Sequence, residues 1–141
     1  RIPMNMHIGA PCTPIVKKGD KVDFGQVIGE PSGIAVPIHA SVSGTVKSVK
    51  KTLLGTGVLV DVVEIENDFE NRLHESIKPP KVETKEEFLK AVRDSGIVGL
   101  GGAGFPTHVK LNPPPDQAPD LLILLLMIGN ALNSQITLSE G

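Results

Sequence analysis

The sequence predicts a mixed fold in two parts: a β domain of short strands with its linker over residues 1–78, and the beginning of an α/β domain over 79–141. Three observations carry that expectation. Up to about residue 66, valine-rich segments alternate with polar residues and are broken by glycine turns. From Thr84 the apolar spacing changes to that of a helix. Beyond the helix lie a glycine-rich loop and then a continuous apolar run at 121–128, which suits a strand buried on both faces of a parallel sheet.

Taken in order, the β part has turns at Lys18-Gly19-Asp20, Pro31-Ser32-Gly33, Ser43-Gly44 and Gly55-Thr56-Gly57. Period-two alternation is clear over 41–49 and 58–66, so both are expected as strands. The segments 16–29 and 40–49 each carry a glycine turn followed by a strand, and they read as partners. Phe24, Phe69 and Phe88 are candidates for core rings. Residues 67–83 are charged and contain proline, as expected of a linker running over the surface. Thr84-x-x-Glu87 is a capping box, in which each side chain satisfies an amide the helix leaves orphaned. Phe88, Leu89 and Val92 form an apolar stripe, and Gly96 suits the left-handed position that ends a helix. Pro113-Pro-Pro115 closes the loop segment.

Composition narrows the function. A formal charge of −2 and a pI near 6.1, with no face-wide excess of Lys and Arg, argue against nucleic acid as a partner. Cys12 is the single cysteine; it can neither form a disulfide within the chain nor hold a cluster alone, and it fits a reducing compartment. His7, His39, His74 and His108 are not at metal-ligand spacing. The run at 121–128 is too short to span a bilayer, and no signal-peptide pattern opens the chain, so a cytoplasmic setting without direct membrane insertion is expected.

The stretch from Gly96 to Lys110 holds five glycines, one aromatic ring and one lysine. Glycine loses more conformational freedom on folding than other residues, so clustering it makes sense where φ is positive or where backbone lies flat on a ligand. Convergent amides and a cation are what the phosphate end of a nucleotide requires. Gly99-x-Gly101-x-x-Gly104 has the spelling of a dinucleotide fingerprint, but that motif follows a strand and this one follows a helix. A P-loop needs Lys and Ser/Thr after its last glycine, and Phe105-Pro106 stands there instead.

Two resemblances refine the picture. Lys17-x-Gly19-Asp20-x-Val22-x-x-Gly25-Gln26-x-Ile28, followed by Val42-Ser-Gly-Thr-Val46, resembles the barrel-sandwich hybrid of biotinyl and lipoyl carrier domains. Those carriers place a lysine eleven residues before the glycine of the second motif, which here is Gly33, and no lysine lies between Lys21 and Lys47. The scaffold is therefore expected without the carrier chemistry. The second motif, Gly99-Leu-Gly-Gly-Ala-Gly-Phe-Pro-Thr-His-Val-Lys110, resembles the flavin-binding loop of the 51-kDa NADH-oxidising subunits of complex I. Together with Met6-His-Ile-Gly-Ala-Pro11 and Lys17-Lys-Gly-Asp20 it is similar to the C-subunit family of Rnf-type ferredoxin:NAD⁺ oxidoreductases.

The resemblance implies FMN and NAD(H) as cofactors, with hydride transfer between nicotinamide and flavin followed by one-electron steps to 4Fe–4S clusters held elsewhere in such subunits. It implies that Gly99, Gly101, Gly102 and Gly104 let backbone approach FMN, that Lys110 lies by the FMN phosphate, and that Phe105 offers its ring to NADH. Thr107 contributes a hydroxyl in this reading, and His108 marks the Rnf branch rather than a catalyst. Neither His7 nor Cys12 is assigned a catalytic role. The implied partners are the other subunits of a membrane electron-transport complex, with ferredoxin as an indirect redox partner, at the cytoplasmic face of the membrane. Relatives follow the strand with Asn-Gly-Ala-Glu-Cys-Glu-Pro-Tyr, whereas this chain has Gly129-Asn-Ala-Leu-Asn-Ser-Gln-Ile-Thr137, leaving Asn130 to replace one hydrogen-bonding group. Relatives also continue into a longer α/β domain, a β-grasp segment and two four-cysteine motifs. None of these falls within the 141 residues, so the chain alone is expected to be an incomplete flavin site without an exit for electrons. Two alternatives remain: a flavin-dependent cobalamin reductase of the same modular build, and a docking module with a degenerate flavin fold.

Overall fold

Short strands and tight turns order the first half of the computed structural model, which describes residues 1–117. In chain order they are β1 (Ile2–Pro3), β2 (Thr13–Pro14), β3 (Lys21–Val22), β4 (Val27–Glu30), β5 (Ile38–His39), β6 (Gly44–Leu53) and β7 (Leu59–Asn67). They form two antiparallel sheets, one ordered β1-β7-β6-β3 and the other β2-β4-β5. Side chains from both sheets meet in one core that includes Met4, Val22, Ile28, Ile38, Val46 and Val63.

The two segments expected as partners do interlock. Gly19 N–H donates to Val46 O and Val46 N–H to Asp20 O, each at 2.8 Å. Gly25 N–H donates to Ala40 O and Ala40 N–H to Gln26 O, also at 2.8 Å. The alternating strands are present, with the first running from Gly44 to Leu53 and the second from Leu59 to Asn67. Gly19, Gly33 and Gly57 sit in turns at positive φ. Gly44 differs from expectation: it opens β6, flanked by Val22 and Asn67, and a Cβ there would lie 1.9 Å from Glu66 O. The position where a carrier would hold its lysine, Gly33, lies in the turn between β4 and β5 that Ala35 N–H closes onto Ser32 O.

The aromatic core expected from the sequence is absent among the described residues. Phe24 is 40% exposed, Phe69 82% and Phe88 44%. The interior is too thin for a ring: a Cβ added at Gly29 would lie 2.8 Å from Met4 Sδ and 3.1 Å from Ile38 Cβ. β-Branched residues and methionine fill that space.

Residues 67–83 follow the surface as expected, but they are pinned to the β domain. Leu73 bridges to Phe24, with Phe24 N–H donating to Arg72 O at 2.7 Å and His74 N–H to Phe24 O at 3.0 Å. Arg72 pairs with Asp23 at 3.1 Å, with Asp68 at 2.8 Å, and with Glu70. Helix α1 (Lys85–Asp94) then starts with the capping box intact, Glu87 N–H donating to Thr84 Oγ1 at 3.2 Å and Thr84 N–H to the Glu87 carboxylate at 3.1 Å. Of its expected stripe only Val92 is buried. Gly96, at φ +70, ends the helix through its N–H to Arg93 O. It also packs against β5, since a Cβ would lie 2.8 Å from Pro37 O and 3.2 Å from the His39 ring. The short helix α2 (Thr107–Lys110) follows the glycine loop. The apolar run at 121–128, on which the parallel-sheet expectation rests, lies outside the described residues.

Candidate functional site

The glycine loop is a closed hairpin-like excursion between α1 and α2. Val98 bridges to Pro106, Gly99 N–H donates to Phe105 O at 3.0 Å, and Thr107 N–H to Ile97 O at 3.1 Å. Buried Pro106 anchors the returning limb, while Leu100 at the tip is 85% exposed.

The glycines divide by cause. Gly96 and Gly104 have positive φ and backbone neighbours that leave no room for a Cβ, so the fold itself requires them. Gly101 and Gly102 have ordinary φ, and a Cβ at either would meet nothing within 4 Å among the described residues. Packing among the described residues gives no reason for glycine there; a flat ligand lying on the backbone would supply one. The amides of Leu100, Gly101, Gly102 and Ala103 donate to no protein acceptor among the described residues. Unused amides beside a cation form a cradle for an anion.

That cation is Lys110. Its Nζ lies 5.8 Å from the centroid of the Phe105 ring, within cation–π range, and 3.2 Å from where a Gly99 Cβ would stand. Gly99, Phe105 and Lys110 are thus brought together across the base of the loop, and Thr107 opens α2 beside them. Asn130 lies outside the described residues. The donor set suits a planar cofactor with a phosphate tail: bare backbone for the flat part, amides and an ammonium for the tail.

Several features around the loop escaped sequence reading. His108 lines a cavity of about 270 Å³ together with Leu89, Arg93 and Asn112 among others, and its Nδ1 is buried without a partner among the described residues. Burial, and then the charge of Arg93, lower the pKa of His108. A cavity of about 810 Å³ separates β5 from α1, lined in part by Phe24, His39, Ile77 and Asp94. Burial lowers the His39 pKa there, opposed by Asp94. Finally, His7 and Cys12 are buried together under the loop, with Cys12 Sγ 3.4 Å from His7 Nε2. Burial pushes the Cys12 thiol up, which keeps it protonated. Among the described residues no group of three metal-ligating side chains comes together.

Residues 1–70 match the family described as the RnfC barrel sandwich hybrid domain, and residues 92–135 match the Nuo51 FMN-binding domain. The chain is 53% identical over 129 residues to the C subunit of the Na⁺-translocating ferredoxin:NAD⁺ oxidoreductase complex of Acetobacterium woodii, covering 87% of this chain and 29% of that one. It is 41% identical to the C subunit of the proton-translocating ferredoxin:NAD⁺ oxidoreductase complex of Clostridium ljungdahlii, over 87% of this chain and 28% of that one. With the C subunit of the ion-translocating oxidoreductase complex of Klebsiella pneumoniae the identity is 36%, over 86% and 17%. The chain spans less than a third of the length of these relatives. A two-sheet domain without the carrier lysine, joined to a flavin-type glycine loop and matched in that order to both family descriptions, places the chain in the family of Rnf C subunits, whose N-terminal region it spans.

Proposed function

We propose that this chain supplies the FMN phosphate cradle, and the first part of the NADH site, of an Rnf-type ferredoxin:NAD⁺ oxidoreductase. The observation that carries the reading is the pairing of Gly101 and Gly102, which need no glycine for packing, with unused amides and the Lys110 ammonium. FMN, when bound, supplies a ring that exchanges hydride with nicotinamide and passes electrons singly to iron–sulfur clusters. The chain's own residues bind and orient. Gly99, Gly101 and Gly102 admit the cofactor to backbone distance. The amides of 100–103 and Lys110 neutralise the phosphate, and Thr107 adds a hydroxyl beside them. Phe105, half-buried at the loop base, presents its ring to the nicotinamide and screens the site from water. Asn130 contributes a hydrogen bond on the nicotinamide side.

In this reading the β domain and its linker, residues 1–78, form a scaffold, and residues from 79 onward begin the FMN-binding domain. The other subunits of the complex are the direct partners, ferredoxin is an indirect one, and the setting is peripheral at the cytoplasmic face of the membrane. No helix among the described residues is long and apolar enough to cross a membrane; in this reading attachment runs through those partners. Flavin absorbance and fluorescence of the full-length protein test the reading. Lys110→Ala should weaken FMN binding about tenfold, the scale of one charge-assisted phosphate contact. A correctly assembled wild-type protein that holds no flavin would overturn the reading and favour the docking alternative.

A further inference from the structure

The returning limb of the glycine loop leans on the N-terminal segment. Ile8 N–H donates to Gly104 O at 3.3 Å. Gly104 is left-handed, and a Cβ there would lie 3.0 Å from both His7 Cα and Met6 O. Residues 6–8 belong to no strand, so sheet hydrogen bonds do not fix them. The His7 ring does. It is 6% exposed, with Nε2 3.1 Å from Val36 O and Nδ1 3.3 Å from Ile8 O. The Cys12 thiol donates to the same Val36 carbonyl at 3.3 Å, closing the cluster from the other side. Val36 is itself fully buried just before β5. A continuous set of contacts therefore runs from the β core through the His7 imidazole to Gly104. Beside it lies a cavity of about 170 Å³ bounded by Met6, His7, Val36, Gly96 and Val98. Without the ring, residues 6–8 have space to shift, and Gly104 shifts with them.

We infer that His7 is a positioning residue for the flavin loop: its ring, tied through Nε2 to the Val36 carbonyl, sets the backbone against which Gly104 rests. This deepens the proposed function and rests on it. His7 does not touch the cofactor; it acts through Gly104, and a displacement of about 1 Å is enough to spoil a preorganised site.

The test uses the full-length protein, with FMN affinity from fluorescence titration, the flavin midpoint potential, and the thermal midpoint of the apo form. His7→Ala should bind FMN about tenfold more weakly and shift the potential. His7→Gln, whose amide can donate to Val36 O from the Nε2 position, should return affinity to within about threefold of wild type. Gly104→Ala combined with His7→Ala should cost less than the product of the two single losses, because both act on one contact. Should His7→Ala not fold, His7→Asn, which is too short to reach Val36 O, takes its place. Unchanged affinity in folded His7→Ala or His7→Asn overturns the inference, as does an equal loss in His7→Gln. Lys110→Ala separates the two levels. Weakened binding there with silent His7 variants sinks only the positioning role, whereas a wild-type protein without flavin sinks both.

Discussion

A methyl group at Gly44 would lie 1.9 Å from the Glu66 carbonyl oxygen and 3.2 Å from Asn67 Cα, while one at Gly101 would touch nothing among the described residues. Two glycines thus serve opposite ends, and substitution separates them. Gly44→Ala should cost about 3 kcal/mol or more, because backbone rather than a flexible side chain must move. Gly101→Ala should leave stability within about 0.5 kcal/mol of wild type while weakening FMN binding in the full-length protein. Urea denaturation and flavin titration on both variants check the pair; equal stability losses would contradict the division. Lys110 and Phe105 are proposed as site residues because their chemistry is written in their side chains. The structural duty of Gly104 was not legible in the sequence, since it depends on His7, far away along the chain.

At the scale of elements, the carboxylates that hold turns and caps set the acid limit of the fold. Hydrogen bonds from the Glu83 and Thr84 amides hold the Glu87 carboxyl below its usual range. The Ser43 hydroxyl, then the Glu70 amide and Arg72, do the same for Asp68, and Arg1 and Ser48 for Glu64. A carboxyl whose folded pKa is depressed stabilises the fold above its unfolded pKa, near 4, and that contribution is lost as pH falls through the folded value. The urea midpoint should therefore decline modestly from about pH 7 to 5, where the unfolded chain protonates His39 and His108 before the folded one does, and fall further below about pH 4. Asp68→Asn should flatten part of that fall, and an unchanged profile would remove Asp68 from the account. Thr84→Ala should cost about 1 kcal/mol by opening the capping box that starts α1, read as a lower thermal midpoint. The capping box and the turns at Gly19, Gly33 and Gly57 were readable because each is a local rule with a short span. The exposure of Phe24, Phe69 and Phe88 was not, because ring burial depends on the distance between sheets.

At the scale of the molecule, long-range ties among the described residues join the glycine loop and α1 to the β domain, among them Gly96 against His39, Ile8 to Gly104, and Arg93 Nη2 to Gly33 O at 3.3 Å. The last covers the very turn that would carry a prosthetic lysine in a carrier domain, so the hairpin tip becomes a docking point for α1. With one cysteine in the chain, no iron–sulfur cluster can be held by these residues alone. Because the chain spans less than a third of its relatives' length, the isolated polypeptide should show little NADH dehydrogenase activity; robust turnover with a dye acceptor would contradict this.

The amino-acid sequence alone determined the pattern of short strands and turns, the capped helix, the absence of a carrier lysine and the residue types available between Gly99 and Lys110. These are properties of spacing and side-chain type, which act over a few residues. Only the tertiary structure decided which glycines the fold itself demands, that the 67–83 segment is clamped at Phe24 and Arg72, and that His7 underlies the loop. Those facts arise where distant segments come within van der Waals contact, and no local pattern encodes such a meeting.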